Sequence, residues 1–132
     1  MKKPFKFLLI AVSIFAVIIM IAFVAVSIRM NGQVKAFDRS IVDVSQVADG
    51  VYYGQSETDL VKVEVRVTVS DGTIRDIEIL KHDCGKGAPA NAMIYDMMEK
   101  NDVEVDAVSG ATISSEVIKD AVRQALRTGL PD

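Results

Sequence analysis

The distribution of apolar and polar positions separates an apolar N-terminal segment from a longer region of mixed pattern. Phe7 to Ile28 is a run of 22 residues without a charge, in which only Ser13 and Ser27 are polar. As a helix this run rises about 33 Å, which matches the roughly 30 Å thickness of a bilayer's hydrocarbon core. The pattern predicts a transmembrane helix over 7–28, preceded by a short N-terminus of residues 1–6. The alternative is a cleaved signal peptide, whose apolar region is usually shorter.

Strict alternation identifies the first clear strand. Val63, Val65, Val67 and Val69 alternate with polar residues, which is typical of a half-buried strand. Asp71-Gly72 then predicts a hairpin turn, because these residues tolerate positive φ angles.

A second strand is predicted from Thr73 to Lys81, where Ile77 and Ile79 alternate correctly. Ile74 has the opposite parity, which indicates a β-bulge near Arg75-Asp76. Two strands alone are marginally stable, so a third strand is expected over Val51 to Gly54.

Two helices are predicted in the second half of the chain. Residues 89–100 place several methionines at helical spacing, and residues 114–128 have one apolar face and one charged face. Ser114 is the expected N-cap of the second helix. Between the helices, Val103 and Val105 predict a short edge strand.

Residues 29–46 are predicted to form a linker or a short helix that connects the membrane span to a folded domain over 47–130. Val34, Phe37, Ile41 and Val44 are spaced for one shallow apolar face on this segment. A simple stalk is the favoured interpretation.

Charge indicates how the chain is oriented. Lys2, Lys3 and Lys6 precede the span, so the positive-inside rule predicts a cytoplasmic N-terminus and an extracytoplasmic C-terminal domain. Beyond Arg29 the chain carries 11 Lys+Arg and 18 Asp+Glu, a net charge of −7. Nucleic acid and anionic lipid are therefore poor partners for the domain, and a partner with a basic surface is a better one. The single Cys84 cannot form an internal disulfide, and no metal site is predicted.

The strongest chemical signal is the run from Asp106 to Thr112, DAVSGAT, directly before the last helix. Gly110 and Ala111 let a bulky group approach the backbone, and the helix start offers N–H groups and a positive dipole end to an anion. The run by itself indicates an anion-friendly helix start. The plainer alternative is that Thr112 and Ser114 merely cap the helix.

A second candidate stretch runs from His82 to Ala88 and contains the only histidine of the chain. Gly85 and Gly87 permit close approach of a flat ligand, and Lys86 adds a positive charge. An ordinary glycine-rich connection between strand and helix is the alternative.

The DAVSGAT run resembles the flavinylation motif of the FMN-binding domain family, Asp-x-x-(Ser/Thr)-Gly-Ala-Thr. The order of elements over about residues 47–126 is also similar to this family. The chain resembles its small membrane-anchored members and the covalent-FMN subunits of Rnf and sodium-pumping quinone reductase complexes. The resemblance implies an α+β fold, in which an antiparallel sheet of three or four strands packs with helices.

The resemblance also implies a site. FMN would be joined by a phosphoester to Thr112, through a flavin transferase that takes FMN from FAD with Mg²⁺. Asp106, Ser109, Gly110 and Ala111 belong to the matching motif and would contact the cofactor or the transferase. Related proteins have a similar His-x-x-Gly-x-Gly stretch, so the isoalloxazine would lie against a second group of residues: His82, Gly85, Lys86 and Gly87.

The resulting prediction is a membrane-anchored, extracytoplasmic flavoprotein that transfers electrons between a membrane donor and an acceptor. An electron-transfer carrier is favoured over a free-standing enzyme, because no acid/base pair or nucleophile constellation is recognised and no catalytic residue is predicted. The alternative is a non-redox or noncovalent module that binds an anion or flavin as a subunit of a larger membrane complex.

Overall fold

The computed structural model describes residues 2–83 and 88–131 of the 132-residue chain. One long helix precedes a three-stranded sheet and two further helices, so the α+β prediction is confirmed. The elements are α1 (Lys2–Lys35), β1 (Gly50–Glu57), β2 (Lys62–Ser70), β3 (Thr73–Asp83), α2 (Met93–Lys100) and α3 (Thr112–Arg127). Short 3₁₀ turns occur at Val44–Gln46 and Ala88–Ala92.

Helix α1 is long and apolar enough to cross a membrane. Its apolar side chains are exposed along the whole predicted span. The helix continues without a break past Ile28 to Lys35, so the first part of the predicted linker is helical. Its last turns meet the folded domain, where Val34 is 5% exposed.

The sheet is antiparallel with the order β1-β2-β3, and these are its three strands within residues 2–83 and 88–131. Strand β1 extends to Glu57, beyond the predicted Gly54. The predicted bulge is confirmed, because Thr68 faces Asp76 while Val69 faces Ile74, leaving Arg75 unpaired in the register. A second irregularity skips Leu80, and the sequence pattern did not reveal it.

The core lies between the sheet and α3. The four alternating valines of β2 are at most 1% exposed, as expected for the covered face of a half-buried strand. Helix α3 packs across β1 and β2. It contributes six core side chains: Val117, Ile118, Ala121, Val122, Ala125 and Leu126.

Gly54 lets α3 approach β1 closely. A Cβ added at Gly54 would lie 2.0 Å from the carbonyl oxygen of Ala121 and 2.8 Å from the backbone nitrogen of Ala125. The backbone of α3 therefore occupies the space that a side chain at position 54 would need.

The linker is not a simple exposed stalk. Val42 and Val44 are buried and belong to the core cluster, and Phe37 packs partly against it. Ile41 is 86% exposed, so the prediction that it shares one apolar face with its neighbours is wrong. The chain is no longer helical after Lys35, and helical spacing therefore does not decide which side chains point inward.

Three local predictions are corrected. Among the described residues, Val103 and Val105 form no strand. Their side chains are buried, as expected. The Val105 N–H donates to the Val103 carbonyl in a tight turn and does not pair with a strand. Helix α3 begins at Thr112 with Ala111 as N-cap, so Ser114 is not the cap. The helix expected from residue 89 begins at Met93, because the Ala88–Ala92 segment forms a 3₁₀ turn.

Replacing Gly54 with alanine is expected to lower the free energy of unfolding by about 1–3 kcal/mol, because the added methyl group must push α3 away from the sheet. Chemical denaturation of the full chain in detergent, followed by tyrosine near-UV circular dichroism, measures this. Gly32→Ala is the matched control, since a Cβ there meets nothing within 4 Å and alanine favours the helix. Equal stability of the two variants would contradict the close approach.

Candidate functional site

Thr112 is the first residue of α3, and its side chain is exposed. The preceding Ala111 is the N-cap, with φ −135° and ψ 41°, and its methyl side chain makes no capping hydrogen bond. The alternative in which Thr112 caps α3 is therefore wrong. The unpaired N–H groups expected in the first turn of a helix remain available to an anion, beside a hydroxyl that points outward.

Gly110 supplies the turn that leads into the helix. Its φ of +81° lies in the left-handed region, and a Cβ at this position would meet no atom of residues 2–83 and 88–131 within 4 Å, apart from its own chain neighbours. The positive φ angle would strain the backbone of any residue other than glycine at this position, although there is room for a side chain among the described residues. Within the described part of the chain, the backbone of the motif is therefore uncovered next to Thr112.

Ser115 fixes the motif from its buried side. Its side chain is fully buried, its hydroxyl donates to the Ala111 carbonyl at 2.7 Å, and it accepts from the Val108 N–H at 2.9 Å. The Ala111 N–H donates to the Val108 carbonyl at 3.0 Å, which closes the turn. Ser109 lies in this turn and is exposed. Ser115 was not predicted from the sequence, although a serine in the first helical turn that bonds back four residues is a known pattern.

An ion-pair cluster ties the loop before the motif to α3. Arg123 is 2% exposed, and its Nε and Nη2 donate to Glu104 Oε1 at 3.1 and 2.7 Å. Lys119 Nζ lies 3.7 Å from the other oxygen, Oε2. Burial raises the pKa of Glu104, but the hydrogen bonds and charges of Arg123 and Lys119 outweigh it, and the net pKa is below its ordinary value.

His82 joins the stretch that begins at the end of β3 to the helix that follows the Asp106–Thr112 motif. It lies near the end of β3, and its Nε2 is 3.1 Å from the Ser114 hydroxyl in the first turn of α3. Its Nδ1 is 2.5 Å from Asn91 Oδ1. Because that amide oxygen can only accept, Nδ1 donates to it and Nε2 accepts from Ser114 in the neutral tautomer.

Asn91 and Ser114 were not expected in the site. Neither residue has a local sequence signal for this role, because the contacts join residues 9 and 32 positions apart in the chain. Asn91 also lines an open groove between β3 and α2, together with the exposed Tyr95. This groove is a surface on which a flat ring could lie beside His82.

The remaining predicted site residues divide into two groups. Asp106 is exposed, and within residues 2–83 and 88–131 its side chain makes no hydrogen bond or ion pair. Gly85, Lys86 and Gly87, together with Cys84, lie outside the described residues.

Over the described part of the chain, no group of three or more His, Cys, Asp or Glu side chains could hold a metal ion.

The arrangement around Thr112 fits a phosphoester. A hydroxyl, an open glycine and an uncapped helix start lie within three consecutive residues, and the buried Ser115 holds them in place. His82 and Asn91 form a polar pair on the adjoining surface, next to a groove that exposes an aromatic ring.

A model of the FMN-binding domain family matches residues 61–127, from the residue before β2 to the last residue of α3. The chain belongs to the FMN-binding domain family. The matched region contains both the Asp106–Thr112 motif and His82. Membership of the FMN-binding domain family supports a flavin-binding role for this domain and FMN as its cofactor.

Replacing Glu104 with glutamine is expected to lower the free energy of unfolding at pH 7 by about 1–2 kcal/mol, because buried Arg123 loses its carboxylate. The cost stays below that of a fully buried pair, since the Glu104 side chain is 44% exposed. The pKa of Glu104 is lowered in the folded protein, so its stabilisation is complete above the ordinary pKa of 4.5 and is lost as the pH falls further.

Urea unfolding at several pH values between 7 and 3 tests this expectation. The difference between the parent chain and Glu104→Gln should shrink towards low pH. Glu99→Gln is the control, because Glu99 is exposed on α2 and should change stability by less than about 0.5 kcal/mol. A difference that does not depend on pH would argue against a charged Glu104 as the stabilising partner.

Proposed function

We propose that this protein is a membrane-anchored flavoprotein that carries FMN on Thr112 through a phosphoester and passes electrons between a membrane donor and an acceptor. The observation that carries the proposal is the exposed Thr112 hydroxyl at an uncapped helix start, beside a glycine at positive φ. This hydroxyl does not cap the helix, whose N-cap is Ala111. Among the described residues, the space beside Gly110 is open and would admit a bulky phosphate.

Attachment requires a donor and a transferase. With FAD as donor, the Thr112 oxygen forms a bond to the phosphorus of the FMN moiety, the pyrophosphate bond of FAD breaks, and AMP leaves. The hydroxyl proton passes to a base or to solvent. Asp106 is exposed on the approach to Thr112, and we infer that it orients the hydroxyl or the donor during this transfer.

The residues of this chain would hold FMN in different ways. Thr112 would fix the phosphate end, and the first N–H groups of α3 would face its negative charge. Asn91 would offer its amide N–H groups to the ring system, beside His82, whose two ring nitrogens pair with Asn91 and Ser114. From its place in the His-x-x-Gly-x-Gly stretch, Lys86 would add a positive charge near the ring. Bound FMN supplies one- and two-electron redox chemistry, while the protein supplies position and electrostatics.

The proposed location explains the covalent link. Lys2, Lys3 and Lys6 favour a cytoplasmic N-terminus, which would place the domain outside the cytoplasmic membrane. A noncovalent cofactor there would be lost by dilution unless its affinity were very high. The net charge of −7 beyond Arg29 would suit a redox partner with a basic surface.

Thr112→Ala is expected to abolish the mass gain of one FMN that the parent chain acquires when it is expressed with a flavin transferase. The reason is that no hydroxyl remains at the first position of α3 to form the ester. Intact-mass spectrometry and in-gel flavin fluorescence, with and without the transferase, measure the modification.

Thr128→Ala is the matched control, because Thr128 is an exposed threonine at the opposite end of the same helix. It should be loaded as fully as the parent chain. An unmodified parent chain in the presence of the transferase would exclude the covalent carrier and favour a noncovalent or non-redox module.

Asp106→Ala is expected to slow FMN loading by about tenfold or more, as a lost hydrogen bond to a charged group would. It should leave the free energy of unfolding within about 0.5 kcal/mol of the parent value, because the side chain is exposed. A time course of the mass gain, beside urea unfolding of the same variant, separates the two effects. Full and rapid loading of Asp106→Ala would remove its role in recognition.

A further inference from the structure

We propose that the turn between β1 and β2 rests on the membrane surface, with the Leu60 side chain inserted at the boundary between headgroups and acyl chains. The domain would then be docked against the bilayer, in one orientation, and would not swing on a flexible tether. This inference rests on the part of the proposed function that makes α1 a membrane span. It does not depend on the flavin.

Three contacts join this turn to α1 through one residue, Asp59. Arg29 Nε lies 2.8 Å from Asp59 Oδ2, and Gln33 Nε2 donates to Asp59 Oδ1 at 3.0 Å. The Asp59 N–H donates back to Gln33 Oε1, also at 3.0 Å. Arg29 and Gln33 are four residues apart and lie on the same face of the helix, so Asp59 is held at a fixed height along α1.

The height of this contact follows from the apolar run. Phe7 to Ile28 spans about 33 Å as a helix, which uses up the hydrocarbon thickness. Arg29 is the first charged residue after the run, so it must lie where the headgroups begin. Its direct partner Asp59 lies at the same level, and Leu60 is the next residue of the turn.

The turn presents Leu60 outward. The Thr58 N–H donates to the Val61 carbonyl at 2.8 Å and closes the turn, and both of these residues are buried. Asp59 and Leu60 form the tip, where Leu60 is 61% exposed. An isolated exposed leucine is unremarkable on a soluble surface. Beside the residue that ends a membrane span, it has apolar acyl chains within reach and gains free energy by leaving water.

The connection between α1 and the domain is stiff enough to maintain this placement. Helix α1 is unbroken to Lys35, and Val34 is 5% exposed where it meets the domain. Further along, Arg127 Nη2 donates to the Asp38 and Ser40 carbonyls at 2.8 and 3.3 Å. The linker is therefore held along α3, and the turn cannot move away from the membrane without breaking these contacts.

Tryptophan fluorescence tests the proposal, because the chain contains no tryptophan. Leu60→Trp, Phe15→Trp and Tyr53→Trp are prepared as full-length chains without a flavin transferase and reconstituted in phosphatidylcholine vesicles. Phe15 lies inside the predicted span. Tyr53 is 63% exposed on β1, about 17 Å along the strand from the turn.

Brominated phosphatidylcholine should quench Phe15→Trp strongly, Leu60→Trp partly and with blue-shifted emission, and Tyr53→Trp hardly at all. Adding Asp59→Ala to Leu60→Trp should reduce the quenching at position 60, because the contact with α1 is lost. Emission and quenching of Leu60→Trp equal to those of Tyr53→Trp would overturn the membrane contact.

The controls separate this failure from others. If Phe15→Trp is not quenched, α1 does not span the bilayer, and both the anchor and the membrane contact are rejected. If Phe15→Trp is quenched and Leu60→Trp is not, only the membrane contact is rejected. Failure of Thr112 to load FMN, with quenching as expected at position 60, would reject the covalent carrier and leave the membrane contact standing.

Discussion

The close packing of α3 on β1 is the contact on which the position of the candidate site depends. Gly54 removes the side chain that would separate the strand from the Ala121 carbonyl, so helix backbone and strand backbone meet. Small residues on α3, Ala121 and Ala125, complete this approach and are fully buried. Because a helix is rigid along its axis, fixing its middle against the sheet also fixes its first residue, Thr112, relative to the end of β3.

Polar contacts then fix the loop before α3 against the helix. Arg123 is almost fully buried, and a buried guanidinium is costly unless a carboxylate offsets it. Glu104 meets that need and at the same time pins the loop before the motif to α3. Ser115 does the same for the motif itself, with one donated and one accepted hydrogen bond. Glu104 and Ser115 thereby hold the loop on the side that faces α3, while the Thr112 side chain stays exposed.

The sequence predicted those features that depend on local pattern. The alternation of β2, the hairpin after it and the bulge opposite Thr68 are all set by neighbouring residues. Val103 and Val105 show the limit of this reasoning, because alternation reports that two side chains are buried and not that a neighbouring strand exists. The contacts of His82 with Asn91 and Ser114 join three separate elements, and no local pattern specifies them. Burial of Val42 and Val44 likewise depends on where the linker crosses the core.

The residue at which α3 begins decides whether Thr112 belongs to the helix or to the loop before it. If Ser114 were the N-cap, Thr112 would belong to the preceding loop and its hydroxyl would have no fixed relation to the helix. With Ala111 at the cap, Thr112 occupies the first helical position, where the N–H groups and the dipole act on whatever its oxygen carries. Ser114 is thereby released to bind His82, which brings the β3 end to the same helix turn. A phosphate on Thr112 would lie where the helix start favours negative charge, and a ring attached to it would lie within reach of the surface that His82 and Asn91 define.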